Sequence, residues 1–156
     1  MTAALKMGDP APDFDLPRDG GGNVSLSALQ GKPVVVYFYP KDDTSGCTAE
    51  AIDFTAHGAA FAEAGVTVIG VSPDSVAKHD KFKAKHELGV VLAADTDKVV
   101  VEAYGAWVEK SMYGRKYMGV ERATYLVDAE GRIAGIWRKV KVTGHAAAVL
   151  KAARAL

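Results

Sequence analysis

The sequence predicts an α/β fold, a three-layer sandwich built on a mixed sheet, and three observations carry that prediction. VVVYFYP, Val34 to Pro40, is an unbroken apolar run rich in β-branched and aromatic residues, as expected of a strand covered on both faces. A second such run, VTVIGVS from Val66 to Ser72, follows a helix-prone stretch, so the two read as a parallel, right-handed β-α-β unit. Further along, ATYLVD and RIAGIWRKV are joined by AEG, the pattern of a β-hairpin.

The remaining elements fall between these anchors. From Gly8 to Pro17, prolines alternate with apolar residues, which predicts an extended lead-in to a tight turn at Gly20, Gly21 and Gly22. NVSLSAL then reads as a short returning strand that runs into a helical turn. Between Thr48 and Ala64, the apolar residues Ile52, Phe54, Ala59, Ala60 and Phe61 predict a helix, weakened at Gly58 and ended by Gly65. Ser75 is placed to cap a polar helix that reaches about Leu88 and carries Val76, His79, Phe82 and His86 along one stripe. VVLAAD suggests a short strand, KVVVEAYG a short helix, and MYGRKYMGVER a long exposed loop. An alanine-rich closing helix begins near Gly144. A hairpin, a β-α-β unit with a helical insertion, a second hairpin and a final helix together make a sandwich of the thioredoxin kind.

At 156 residues the chain has the size of one domain, taken here as 1–156. Its 19 basic residues balance 19 acidic ones, so net charge makes no case for nucleic acid or an anionic membrane as a partner. The opening MTAALKMGDPAPDFDLP lacks a cationic segment followed by a long apolar core, and a cytoplasmic location is expected. One cysteine excludes an internal disulfide and any zinc site built from paired cysteines.

That cysteine, Cys47, lies in YFYPKDDTSGCTAE, where a strand-prone run gives way to a small-residue turn and then to a helix. A thiol in the first turn of a helix faces unpaired N–H groups and the positive end of the helix dipole, both of which favour thiolate. An unperturbed thiol is only about 3% thiolate at pH 7, and bringing its pKa to about 6 takes roughly 3.4 kcal/mol. A helix terminus and one cation can supply that, so the sequence must provide a cation. The plainer reading is that a lone cysteine is a small buried apolar group.

The string FYPKDDTSGCTAEA, with the opening GDPAPDF and the distal GVERATYLVDAEGRI, resembles the peroxiredoxins, and most closely their Q type, the bacterioferritin comigratory proteins. The resemblance extends over almost the whole chain, and the spacing of Pro40, Thr44 and Cys47 is its most specific part. It implies a thiol-dependent peroxidase without metal or cofactor, in which Cys47 attacks the O–O bond of hydrogen peroxide or an organic hydroperoxide and becomes a sulfenic acid. Displacement on oxygen needs donors that align both oxygens and stabilise the departing one. The Thr44 hydroxyl can accept from the thiol or donate to the peroxide, or serve only as a helix cap. Pro40 ends the strand without an N–H and can shield the thiolate, or is simply a terminator. Arg122, which precedes ATYLVD, is the implied cation, although alone it would read as a surface charge or a partner of Glu121. Glu50 is implied to orient Arg122 through a bidentate pair, or is merely a favourable carboxylate in the first helical turn.

The chain departs from the family pattern at three positions. Ile52 and Lys83 stand where Q-type members carry a resolving cysteine, and Ser45 stands where proline is usual. The sulfenic acid must then be reduced by an external thiol such as thioredoxin, glutaredoxin or glutathione. Relatives of this type are often monomers or weak dimers. Two further readings differ in class. One is a cysteine hydrolase using His57, His79, His86 or His145 as base, although histidines on polar helices are usually solvated. The other is a redox sensor or thioredoxin-like interaction module that oxidises once without turnover. The apolar residues between Trp107 and Met118 would line a pocket for bulky hydroperoxides, form a subunit contact, or pack as an ordinary loop.

Overall fold

The computed structural model describes residues 4–156, and the part of the leader reading that rests on Met1 to Ala3 lies outside the described residues. A short antiparallel hairpin, β1 (Asp15–Pro17) and β2 (Asn23–Ser25), opens the fold and turns through the three glycines, all at positive φ. A single 3-10 turn at Ser27–Leu29 leads to β3 (Val34–Phe38). Every residue of β3 is buried. Val34, Val36 and Phe38 enter one core with Phe14, Val100, Tyr104 and Tyr125, while Val35 and Tyr37 enter the other with Phe54, Phe82 and Val149. Both faces being covered, the unbroken apolar run replaces the alternation of a half-exposed strand.

The first helix, α1 (Ser45–Ala56), is separated from α2 (Gly58–Glu63) by His57, whose ψ of 7° breaks the helical path. Then follow β4 (Thr67–Ser72), α3 (Val76–His86), β5 (Val91–Ala94) and α4 (Val99–Ala103). The Ser75 side chain caps α3 by accepting from the Lys78 N–H, as its position predicts.

A second hairpin, β6 (Trp107–Met112) and β7 (Arg115–Val120), occupies the segment read from sequence as an exposed loop, which corrects that reading. Its connection is two residues, Tyr113 at φ 51° and Gly114 at φ 77°, a turn whose twist matches that of paired strands. The strands escaped notice because both faces are largely polar or exposed, so no hydrophobic alternation marks them. The chain closes with β8 (Ala123–Val127), β9 (Ile133–Trp137) and α5 (His145–Arg154).

The central sheet runs β5-β4-β3-β8-β9, with β3, β4 and β5 parallel and β8 antiparallel to β3. Helices α1, α2, α3 and α5 cover one face; α4 and the segment around Phe14, Val24 and Leu26 cover the other. This is the predicted three-layer α/β sandwich with its mixed sheet.

Candidate active site

The site lies at the C-terminal end of β3. Strand pairing stops at Phe38, although the Tyr39 N–H still donates to the Val71 carbonyl at 3.1 Å. Pro40, half-buried, has no N–H to continue the ladder. After the loop, Asp43 adopts φ 62°, the left-handed region that aspartate tolerates, and Thr44 turns extended at the N-cap of α1. The helix begins three residues earlier than its apolar pattern suggests, which puts Cys47 in its first turn. Because β8 runs antiparallel to β3 and pairs Ala123 with Phe38, the preceding residue, Arg122, is delivered to the same sheet end.

Arg122 spans two partners there. Its Nη2 donates to Cys47 Sγ at 3.4 Å, and its Nη1 donates to Glu50 Oε1 at 2.7 Å. A Cβ at Gly46 would stand 3.1 Å from Nη2, so the missing side chain in the first turn of α1 lets the guanidinium approach the sulfur. Glu121 is no competitor for Arg122: it pairs with Arg138 at 2.5 Å. Burial works against the Arg122 charge, but Glu50 and Cys47 outweigh it and hold the guanidinium above its ordinary range.

Glu50 is 1% exposed. Burial pushes its carboxyl up to about 7, against the pull of the Arg122 charge and hydrogen bond. Two expectations are corrected here: the pair with Arg122 is not bidentate, since Oε2 has no hydrogen-bond partner among the described residues, and Glu50 lies beyond the first turn of α1. The geometry follows from the division of the guanidinium between carboxylate and sulfur.

The Thr44 hydroxyl makes no capping bond and donates instead to the Lys41 carbonyl at 2.9 Å. Its backbone still caps, with the Thr48 N–H donating to the Thr44 carbonyl. The hydroxyl proton being engaged, the oxygen is left with acceptor capacity only.

Cys47 is 2% exposed, and among the described residues Arg122 is the hydrogen-bond partner of its sulfur. Among the described residues no histidine hydrogen-bonds to Sγ, so the hydrolase reading gains no base here. Two histidines also contradict the expectation of solvated rings. His79 is fully buried, with Nδ1 2.6 Å from Asp42 Oδ2 and Nε2 3.0 Å from the Ala93 carbonyl, so Nε2 must donate. The Tyr39 hydroxyl donates to Asp42 Oδ1 at 2.6 Å, and the Asp42 N–H donates to Asp74 Oδ2 at 2.8 Å. Sequence reasoning placed His79 on one stripe with Phe82 but missed this cluster, which ties the loop before Cys47 to the residues just past β3 and β4, to α3 and to β5. His145 is the second: its Nε2 lies 2.7 Å from Thr124 Oγ1, and burial, with the Arg122 charge, pushes the ring down to about 4.

Comparison with known proteins identifies the family of the chain. The model of the AhpC/TSA family matches residues 7–136. The chain is 49% identical to the putative peroxiredoxin bcp of Coxiella burnetii over 94% of this chain and 97% of that one. It is also 49% identical to peroxiredoxin Bcp of Bacillus subtilis, over 94% of each. Among solved structures, the Xanthomonas campestris bacterioferritin comigratory protein, studied for alkyl peroxide reduction activity, superposes with a TM-score of 0.89 at 44% identity, covering 98% of each chain. A cysteine-to-serine variant of Xylella fastidiosa PrxQ gives a TM-score of 0.92 at 36% identity, again over 98% of each. The chain therefore belongs to the AhpC/TSA family, and within it to the peroxiredoxins of the Bcp, or Q, type, as a member with a single cysteine.

Proposed function

We propose that Cys47 is the peroxidatic nucleophile of a thiol-dependent peroxidase whose sulfenic acid is reduced by an external thiol. The observation that carries this reading is the Arg122 Nη2 donor 3.4 Å from a sulfur in the first turn of a helix. Thiolate is the reactive form, and a fixed guanidinium beside it stabilises that charge and offers a donor to the incoming peroxide oxygen. Attack forms the S–O bond as the O–O bond breaks: Cys–S⁻ and ROOH give Cys–SOH and RO⁻, which takes a proton to leave as water or an alcohol. Two external thiols then return Cys–SH, one disulfide and one water.

The supporting residues divide the work. Glu50 positions Arg122, Thr44 accepts from the incoming hydroperoxide O–H, and Pro40 keeps a competing N–H away from the sulfur. A sulfur this covered suits a small oxidant, and the alkyl peroxide reduction reported for the Xanthomonas protein supports organic hydroperoxides beside hydrogen peroxide as substrates. A thioredoxin or glutaredoxin, being large, reaches Cys47 only when the first turn of α1 opens; glutathione needs less. The protein is read as one domain and as a monomer or weak dimer. A cytoplasmic location, where such thiols are kept reduced, fits a chain with no second cysteine.

The test is peroxide consumption with thioredoxin, glutaredoxin plus glutathione, and dithiothreitol in turn. Multiple turnovers with at least one, abolished in Cys47→Ser, are expected. Consumption that stops after one equivalent with every reductant would overturn the proposal in favour of a sensor.

A further inference from the structure

The peroxidatic reaction leaves an oxyanion to be protonated, and the residues named so far are poorly placed to do it. Arg122 stays charged under all relevant conditions. Glu50 is buried behind it, with Oε1 accepting from Nη1. His145 is turned to Thr124.

Lys110, on β6, is a different kind of group. It pairs across the hairpin with Tyr117, and its stem is laid diagonally over Gly119, where an added Cβ would meet Lys110 Cδ at 3.2 Å and Cε at 3.4 Å. The bare glycine thus directs the side chain along the hairpin towards the end of β7, two residues before Arg122. The ammonium has no carboxylate partner among the described residues: on the same hairpin Glu109 pairs with Lys116, and Glu121 is taken by Arg138. Lys110 is half-buried; this burial and the Arg122 charge hold its ammonium below the ordinary lysine range, while the Cys47 and Glu121 charges pull the other way. It is a cation laid over Gly119 towards the Arg122 end of the hairpin, on a flexible stem, with no carboxylate partner among the described residues.

We propose that Lys110 is the acid of the peroxidatic site, its ammonium facing the departing oxygen and protonating it as the O–O bond breaks. The inference rests on the assignment of Cys47 as nucleophile. In the step, the sulfur lone pair forms S–O, the O–O pair leaves on RO⁻, and Lys110 N–H supplies the proton, so the products are Cys–SOH, ROH and a neutral amine that water reprotonates. Arg122 and Lys110 then divide the transition state, one at the sulfur and attacked oxygen, the other at the leaving oxygen.

Leaving groups of different basicity test this. Single-turnover oxidation of Cys47 is measured with hydrogen peroxide, tert-butyl hydroperoxide and peroxyacetic acid in the unsubstituted protein, Lys110→Met and Gly119→Ala. Lys110→Met should lose on the order of 10²-fold with the first two, the low end for a positioned acid, and little with peroxyacetic acid, because acetate leaves without a proton. Gly119→Ala, which retains the amine but displaces its stem, should show the same selectivity to a smaller extent. Equal losses on all three oxidants, or none, would overturn the role of Lys110 while leaving Cys47 as nucleophile. An unsubstituted protein that oxidised no faster than free cysteine would instead overturn the peroxidase reading.

Discussion

Glu50→Gln, made and compared in a Cys47→Ser background so that thiol titration does not contribute, should change how stability depends on pH. In the folded protein burial raises the Glu50 carboxyl from an ordinary 4.5 to about 7, despite the Arg122 contact. Between those values the native state holds a proton that the unfolded chain has released, so stability falls as pH rises. The contribution is fully present below 4.5, is lost as pH rises through about 7, and is flat beyond. At 1.36 kcal/mol per pH unit that interval amounts to about 3 kcal/mol. Urea unfolding of both proteins from pH 4.5 to pH 8 isolates it, since other titrating groups cancel in the difference. The glutamate protein should lose about 3 kcal/mol relative to the glutamine protein across this range. A constant difference, or one that grows in favour of glutamate at high pH, would mean that the ion pair with Arg122 outweighs burial, and the reasoning fails.

Gly46→Ala should gain roughly 0.5–1 kcal/mol of helix stability yet slow Cys47 oxidation, because the new Cβ would stand 3.1 Å from Arg122 Nη2; thermal unfolding and stopped-flow kinetics check the two signs. Cys47 should proceed to sulfinic or sulfonic acid under excess peroxide when no thiol is present, as no resolving cysteine intercepts the sulfenic acid. Mass spectrometry should find a gain of two or three oxygens on a folded protein, and a persistent free thiol would contradict this. Tyr37→Phe should stabilise the fold by about 1 kcal/mol, since the buried Tyr37 hydroxyl has no hydrogen-bond partner among the described residues; a loss measured by urea unfolding would show that the hydroxyl is satisfied.

Legibility followed burial. The strand at Val34–Phe38 could be read directly because both its faces are covered, and Cys47 stood out as the single thiol at a strand-to-helix turn. Arg122 was legible through the motif around it; from elementary patterning it is one charge among many, and only antiparallel pairing of β8 with β3 explains its place beside the sulfur. The β6–β7 hairpin was not legible, since only its Trp107–Val120 end reaches the core and the rest carries no hydrophobic period, and Lys110 was lost with it. His79 was hidden for the opposite reason: a helix that is polar overall carries it into the core, where Asp42 and the Ala93 carbonyl satisfy both ring nitrogens. The orphaned Oε2 of Glu50 depends on how one guanidinium is divided between two partners, a matter of ångströms rather than of sequence pattern.

The central claim is that the guanidinium at 3.4 Å from the sulfur serves peroxide cleavage in particular. It is tested most directly by the rates at which Cys47 reacts with hydrogen peroxide and with iodoacetamide, in the unsubstituted protein and in Arg122→Met. The peroxide rate should fall by about 10²–10³, the effect of removing one oriented donor from the transition state, and the alkylation rate by much less. Equal falls in both, or no fall in either, would contradict the account.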